Sequence, residues 1–126
     1  MALGLVVFSC EADDSFRWHP APIYGGGYFQ NVIICPSATN VWYCYVDVGG
    51  PYRSDDAGAT WRPLHSNFSA GDRHFQADHV RTMSVDPRDA DSFVLCCGNN
   101  SDAPAGVYVS RDGGRSFRKT LLARFY

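Results

Sequence analysis

Three aspartates lie close together in the stretch VDVGGPYRSDDAGATW, which runs from Val46 to Trp61. A carboxylate can act as a general acid or a general base in hydrolysis. A carboxylate can equally accept hydrogen bonds from the backbone amides of a tight turn. The first question is therefore which of Asp47, Asp55 and Asp56 belongs to a turn and which is placed for chemistry.

The second half of this stretch occurs again later in the chain. YRSDDAGATW at 52–61 and YVSRDGGRSF at 108–117 share the frame Tyr-x-Ser-x-Asp-x-Gly-x-Thr/Ser-aromatic. Upstream of each copy, two apolar segments flank a Pro-containing turn, with sequences CPSATNVWYCY at 35–45 and DPRDADSFVLCC at 86–97. Internal repeats of this length indicate a repeat architecture. The predicted unit is strand, turn, strand, loop, strand, Asp-containing turn and strand.

The shared frame, which we call the box, assigns one aspartate of each repeat to a hairpin turn. That aspartate can accept hydrogen bonds from backbone amides, and the glycine two residues later allows a positive φ. We expect turns at 55–58 and 111–114, with Asp56 buried and Asp55 solvated. The residues assigned a structural role are Ser54, Asp56, Gly58, Trp61, Ser110, Asp112, Gly114 and Phe117.

Asp47 falls outside the box. It follows the apolar run 41–46, precedes Gly49 and Gly50, and has no counterpart in the second repeat, where the loop reads GNNSDAPAG. A carboxylate at a strand end beside glycines lies where a ligand could approach closely. The alternative is an aspartate that caps a turn at the strand end.

Length and composition limit the fold and the partners. A chain of 126 residues fits one domain and can bury a real core. The net charge of −2 gives no reason to expect nucleic acid or an anionic membrane as a partner. Aromatic residues make up 14% of the chain, and strand-forming residues recur, which indicates an all-β fold. We expect no transmembrane segment and no metal or other cofactor.

Residues 1–22 and the cysteines leave alternatives open. MALGLVVFSC resembles the end of a bacterial lipoprotein signal with Cys10 as the lipidated residue, although no basic residue precedes the apolar run. A buried first strand or a cloning remnant is the alternative. The other cysteines lie in apolar segments as small hydrophobic residues. A disulfide from Cys44 to Cys96 or Cys97 is left open.

The box resembles the Asp-box, the turn signature of several β-propeller families, including sialidases and sortilin-like domains. The region from Tyr24 to Leu64 is similar to the opening blade of family 74 glycoside hydrolases, the xyloglucanases and related endo-β-glucanases. Its matching parts are a GGG-aromatic element at 25–29, a strand ending in proline at 32–36, and D-V-G-G-x-Y-R at 47–53. The resemblance implies four-stranded antiparallel blades, about two of them (23–70 and 78–126), from a larger seven-bladed propeller.

The resemblance also implies a chemical role for Asp47. In family 74 the aspartate of the D-V-G-G motif is the general base of an inverting hydrolysis, and the matching acid stands about 6.5–9.5 Å away. The implied partner is a polysaccharide, β-glucan or xyloglucan, met by a secreted or cell-surface protein. The implied substrate-binding residues are Tyr28, Gly49, Gly50, Tyr52 and Arg53. The chain has no second D-V-G-G motif, so we expect it to be incomplete as a hydrolase on its own.

Two other functions compete with this interpretation. A non-catalytic Asp-box module, as in sortilin-like domains, would bind protein or carbohydrate. A sialidase is a more distant alternative, because the arginine-bearing R-I-P type motif of that family is missing. Two blades alone also leave open sheet edges, which predicts self-association through those edges.

Overall fold

The described part of the chain consists of two four-stranded antiparallel sheets. A computed structural model describes residues 17, 19–23, 27–47, 49–72, 80–98 and 105–123. Each sheet is a meander whose strands pair in chain order, which confirms the predicted all-β fold and the predicted repeat unit. Blade 1 contains β1 (Phe29–Cys35), β2 (Ala38–Val46), β3 (Gly50–Ser54) and β4 (Arg62–Pro63). Blade 2 contains β5 (Val80–Asp86), β6 (Asp89–Cys97), β7 (Ala105–Ser110) and β8 (Arg118–Ala123).

Residues 41–46 of strand β2 are all apolar because this part of the strand is covered on both faces. Val41, Tyr43 and Tyr45 belong to the core that blade 1 shares with blade 2. Cys44 and Val46 point to the opposite face, in a smaller cluster with Tyr52, Trp61 and Ile23. Since successive side chains of a strand alternate between faces, one continuous apolar run serves two clusters.

The shared core holds the blades face to face. The rings of Tyr43 and Phe93 meet across the blades with centroids 4.7 Å apart. The segment that follows β4, which includes a 3₁₀ turn at His65–Asn67, also packs on blade 2. In that segment Phe68 stacks on Phe117 at 4.0 Å, and Leu64 is fully buried. The two repeats therefore share one hydrophobic core instead of forming two separate ones.

The cysteines of the described strands are free thiols, so the disulfide left open by the sequence does not form. Cys97 lies in the shared core, whereas Cys44 lies in the smaller cluster on the far face of blade 1. Burial raises the pKa of the Cys44 thiol to about 12, which keeps it protonated and unreactive. Cys10 and the Gly25-Gly26 part of the glycine-rich element lie outside the described residues.

No helix in the described part of the chain is long and apolar enough to cross a membrane. The edge strands are β1 and β4 in blade 1, and β5 and β8 in blade 2. Self-association through these edges stays a prediction.

Candidate functional site

Asp47 is the first residue after β2, at the point where Tyr28 leads into β1. Its Oδ1 accepts a hydrogen bond from the backbone N–H of Tyr28 at 2.5 Å. Its own N–H donates to the Tyr28 carbonyl at 3.1 Å. These two bonds continue the β1–β2 pairing beyond Phe29 and Val46, the last paired residues of the ladder. The Asp47 carboxylate is therefore partly buried and is held in one orientation.

Tyr28 contacts this carboxylate through its backbone N–H, and Gly49 and Gly50 follow Asp47 in the chain. The Tyr28 side chain is 71% exposed, the most exposed large hydrophobic side chain of the described residues. Gly49 and Gly50 have φ angles of 118° and 79°, a conformation that favours glycine. An oriented carboxylate thus contacts the backbone of an exposed tyrosine and is followed in the chain by the partly exposed Gly49 and the buried Gly50.

Tyr52 and Arg53, the other predicted substrate-binding residues, point into the protein instead. Tyr52 is only 7% exposed and packs in the cluster with Cys44 and Val46. The Arg53 side chain is only 9% exposed. The structure therefore brings Tyr28 to Asp47 and leaves Gly49 partly exposed, whereas Gly50, Tyr52 and Arg53 are buried in β3.

Arg53 is the centre of a polar contact between the blades. Its Nη1 pairs with Asp91 Oδ1 of blade 2 and donates to the Tyr43 hydroxyl at 2.7 Å. Its Nε donates to Asp55 at 2.7 Å, and the Tyr43 hydroxyl donates to the Ala90 carbonyl at 2.9 Å. Burial disfavours the charge of Arg53, but the hydrogen bonds to Asp55 and Asp91 hold its pKa above the ordinary value. The sequence does not predict this contact, because no motif links Arg53 to Asp91.

The two box turns have the same hydrogen bonds. Ser54 Oγ donates to Asp56 Oδ1 at 2.7 Å and accepts from Gly58 N–H at 2.8 Å. Asp56 also accepts from the N–H and the hydroxyl of Thr60 at 2.8 and 2.6 Å. The equivalent bonds in the second box join Ser110, Asp112, Gly114 and Ser116. Both carboxylate oxygens of each aspartate thus accept hydrogen bonds from within its own turn.

The exposure of the box aspartates differs from the expectation. Asp56 is exposed rather than buried, because the turn projects beyond the sheet. The hydrogen bonds from Thr60 and Ser54 nevertheless lower its pKa to about 2. Asp55, expected to be merely solvated, is 54% exposed and pairs with Arg53 and with Arg62.

A second polar cluster, which the sequence also does not predict, joins Tyr108, Asp72 and Lys119. Tyr108, the tyrosine of the second box, is 1% exposed and donates its hydroxyl to Asp72 Oδ1 at 2.8 Å. Lys119 Nζ pairs with the same oxygen at 3.1 Å. A buried tyrosine hydroxyl usually has a hydrogen-bond partner. The position of Tyr108 at the start of the second box was therefore the one sequence feature that pointed to such a partner. The cluster fastens the segment after β4 to blade 2.

Two cavities bounded by described residues have volumes of 740 and 550 Å³. The larger lies on the face of blade 1 that points away from blade 2, and the smaller lies on the far face of blade 2. Neither is lined by Asp47. The described residues therefore give Asp47 a partly exposed position at a strand end, outside both cavities.

The chain matches no protein-family model. It is 32% identical over 105 residues to an oligoxyloglucan-reducing end-specific xyloglucanase of Emericella nidulans, a match that covers 82% of this chain and 13% of that protein. It is 28% identical over 112 residues to xyloglucanase Xgh74A of Acetivibrio thermocellus, covering 85% of this chain and 13% of that one. Among solved structures, the GH74 enzyme of Niastella koreensis matches with a TM-score of 0.62 and 27% identity.

That structural match covers 79% of this chain and 14% of the Niastella enzyme. The matches to the two curated relatives likewise cover only 13% of the length of each. These matches confirm the resemblance that the two Asp-boxes and the D-V-G-G motif predict. The chain is a two-bladed, GH74-like propeller segment, related over most of its length to the family 74 glycoside hydrolases.

Proposed function

We propose that this chain contributes the general base, Asp47, to an enzyme that hydrolyses xyloglucan. The observation that carries the proposal is the placement of Asp47. It ends a buried strand, stands outside both box turns, and is oriented by the backbone of Tyr28. A positioned, partly exposed carboxylate is what general-base catalysis requires.

The proposed role of Asp47 follows the inverting mechanism. Asp47 accepts a proton from a water molecule as that water attacks the anomeric carbon of the sugar. A carboxylic acid on the other side of the bond, about 6.5–9.5 Å away, gives its proton to the departing oxygen. Since these 126 residues hold no second D-V-G-G motif, we propose that the acid comes from outside this chain.

The surroundings of Asp47 suit a sugar ligand. The exposed ring of Tyr28 offers an apolar face on which a sugar ring can stack, while the partly exposed Gly49 lets a ligand approach the backbone. We propose Tyr28 and Gly49 as the substrate contacts, with the buried Gly50 supporting the turn. Tyr52 and Arg53 are buried residues of β3 and anchor this strand in the protein interior.

Xyloglucan is the proposed substrate because both curated relatives carry xyloglucanase in their names. A polymer of this kind is met outside the cell, so we propose a secreted or cell-surface location. Lipid attachment at Cys10 stays a prediction from the sequence.

A non-catalytic carbohydrate-binding role is the second candidate. The hydrogen bond from Tyr28 N–H to Asp47 favours it, because that bond gives the carboxylate a structural task without any catalysis. In this case sugar would bind on Tyr28 while Asp47 only shaped the strand end.

Nuclear magnetic resonance titration of the isotope-labelled chain with xyloglucan oligosaccharides tests the site. We expect shifts of the amide signals of Tyr28, Asp47, Gly49 and Gly50, and loss of these shifts in Tyr28→Ala. The surface variant Arg88→Ala should bind as the wild type does. Shifts confined to other residues, or no shifts at high oligosaccharide concentration, would contradict a sugar site at Asp47.

A further inference from the structure

The first strand of each blade contains a β-bulge at the same position. The register of β1 against β2 shifts at Gln30, and the register of β5 against β6 shifts at Arg81. A bulge interrupts the regular alternation of side chains, re-aims them, and is common next to active sites. Both repeats therefore place a polar side chain in a bulge near the start of the first strand.

Both bulges lie at the end of the sheet that carries Asp47. Asp47 is the first residue after β2, and its backbone pairs with that of Tyr28, just before the bulge in β1. Gly98 is the first residue after β6 and therefore corresponds to Asp47. Arg81 Nε donates to the Gly98 carbonyl at 3.2 Å. The Arg81 guanidinium thus lies beside the residue of blade 2 that corresponds to the proposed base in blade 1.

Asp47 and Arg81 lie on the same side of the molecule. Arg62, directly after the first box, donates from Nη2 to the Gly113 carbonyl in the second box at 2.9 Å, so the box ends of the two blades lie together. Because β1 and β5 also contact each other, the opposite ends of the blades lie together as well. Sheets that pack face to face are about 10 Å apart. Asp47 is therefore about one sheet spacing away from the equivalent end of blade 2.

The side chains at this end of β5 suit a sugar ligand. Arg81 and Thr82 are exposed, whereas Val80 and Met83 on either side of them are buried in the shared core. A guanidinium has five N–H donors in a planar fork, and a threonine hydroxyl both donates and accepts. Sugar hydroxyls are matching partners for both groups. A polymer bound at Asp47 continues on either side of the bond that is cleaved, so it can reach a second contact on the neighbouring blade.

We propose that Arg81 is a second polysaccharide contact, which binds hydroxyls of a sugar unit about one sheet spacing away from the unit at Asp47. This proposal rests on the proposed sugar site at Asp47 and Tyr28. Arg81 takes no part in proton transfer; it directs the sugar chain from blade 1 across to blade 2. Affinity should therefore depend on the length of the oligosaccharide, because only a long ligand reaches both blades.

Nuclear magnetic resonance titration of the isotope-labelled full chain with a short and a long xyloglucan oligosaccharide tests the proposal. Both ligands should shift the amide signals of Tyr28 and Asp47, and the long one should also shift the Arg81 Nε–H signal. We expect Arg81→Met to weaken binding of the long oligosaccharide at least about 10-fold and to leave that of the short one unchanged. Arg88→Met, in the β5–β6 turn at the opposite end of blade 2, should bind both as the wild type does.

Two further measurements separate sugar binding from a purely structural role of Arg81. Arg81→Lys keeps the charge and a donor, so it should recover part of the affinity for the long oligosaccharide. If Arg81 only supported the Gly98 carbonyl, Arg81→Met would lower the melting temperature and would weaken both oligosaccharides by the same factor, which would overturn the proposal.

The titration also distinguishes failure of this proposal from failure of the site at Asp47. Shifts at Tyr28 and Asp47, with equal affinity of the wild type and Arg81→Met for the long oligosaccharide, would overturn the role of Arg81 and leave the site at Asp47 intact. Shifts at Arg81 and Gly98 alone would support Arg81 as a sugar contact and overturn the site at Asp47. No shifts at high oligosaccharide concentration would overturn both.

Discussion

At the scale of single residues, Asp47 and Asp56 lie in one short stretch but make different hydrogen bonds. Asp56 satisfies Ser54 and Thr60 within one turn, whereas Asp47 joins the ends of two strands through Tyr28. The box could be predicted because all of its partners lie within a few residues of the aspartate. The exposure of Asp56 could not, since it depends on how far the turn projects from the sheet.

The box aspartates should make stability depend on acid pH. Hydrogen bonds from Thr60 and Ser54 lower the pKa of Asp56 from the ordinary value of 3.8 to about 2. Burial raises the pKa of Asp112, but the hydrogen bonds from Ser116 and Ser110 outweigh it and lower that pKa to about 2 as well. A pKa lowered by folding stabilises the protein above pH 3.8, and that contribution is lost as the pH falls towards 2.

Melting temperatures measured across this acid range check the expectation. Asp112→Asn should melt below the wild type at neutral pH and should show a smaller further decrease on acidification. Parallel decreases for the two proteins would show that Asp112 does not contribute to the pH dependence.

The two box turns also differ at one position that can be exchanged. Ala57 has a φ of 55°, and the second box has Gly113 there with a φ of 68°. An alanine in this conformation is strained, so Ala57→Gly should raise the free energy of unfolding by about 0.5–1 kcal/mol. Urea titration measures the change.

Gly113→Ala is the reciprocal variant. It should lower the free energy of unfolding, because a Cβ at this position would also collide with the Arg53 guanidinium. A neutral result for both variants would contradict the strain argument.

At the scale of the elements, β3 shows why the role of Arg53 was not foreseen. The motif D-V-G-G-P-Y-R places Arg53 close to Asp47 in sequence. Strand pairing puts Arg53 opposite Tyr43, on the face towards blade 2. Alternation along β3 could have separated Tyr52 from Arg53. The partner Asp91 comes from β6, and only the packing of the blades brings it within reach.

The Arg53 contact should stabilise the blade interface measurably. Arg53→Met keeps much of the side-chain volume but leaves Asp91, Asp55 and Tyr43 without their shared donor. We expect the free energy of unfolding to fall by about 2–3 kcal/mol. Arg88→Met is the matched control, because Arg88 is 88% exposed and pairs with Asp86 at 3.5 Å, a surface contact worth about 0–1 kcal/mol. Equal effects of the two variants in urea titration would contradict a structural role for the interface contact.

At the scale of the whole molecule, the shared core predicts that the blades unfold together. All three tryptophans precede residue 62, so tryptophan fluorescence reports on the first half of the chain. Far-ultraviolet circular dichroism reports on both sheets. Because Tyr43, Phe68 and Phe93 belong to one cluster, the two signals should change at the same urea concentration. A separate, later transition in circular dichroism would show that blade 2 folds independently.

Hydrolysis of xyloglucan by a complete enzyme tests the proposal that Asp47 acts as a general base in a GH74-like hydrolase. The Niastella koreensis enzyme can receive this chain's residues 27–123 in place of its matching segment, which brings a complete enzyme around Asp47. Asp47→Asn in that chimera keeps an oxygen for the Tyr28 amide but cannot accept the proton from water.

We predict that kcat of the chimera falls by at least about 100-fold in Asp47→Asn while the melting temperature stays nearly unchanged. Asp55→Asn, its matched control in the same stretch, should retain kcat. If the chimera carrying Asp47→Asn hydrolysed xyloglucan at the rate of the parent chimera, Asp47 would be a structural residue like Asp56, and the account of this site would be wrong.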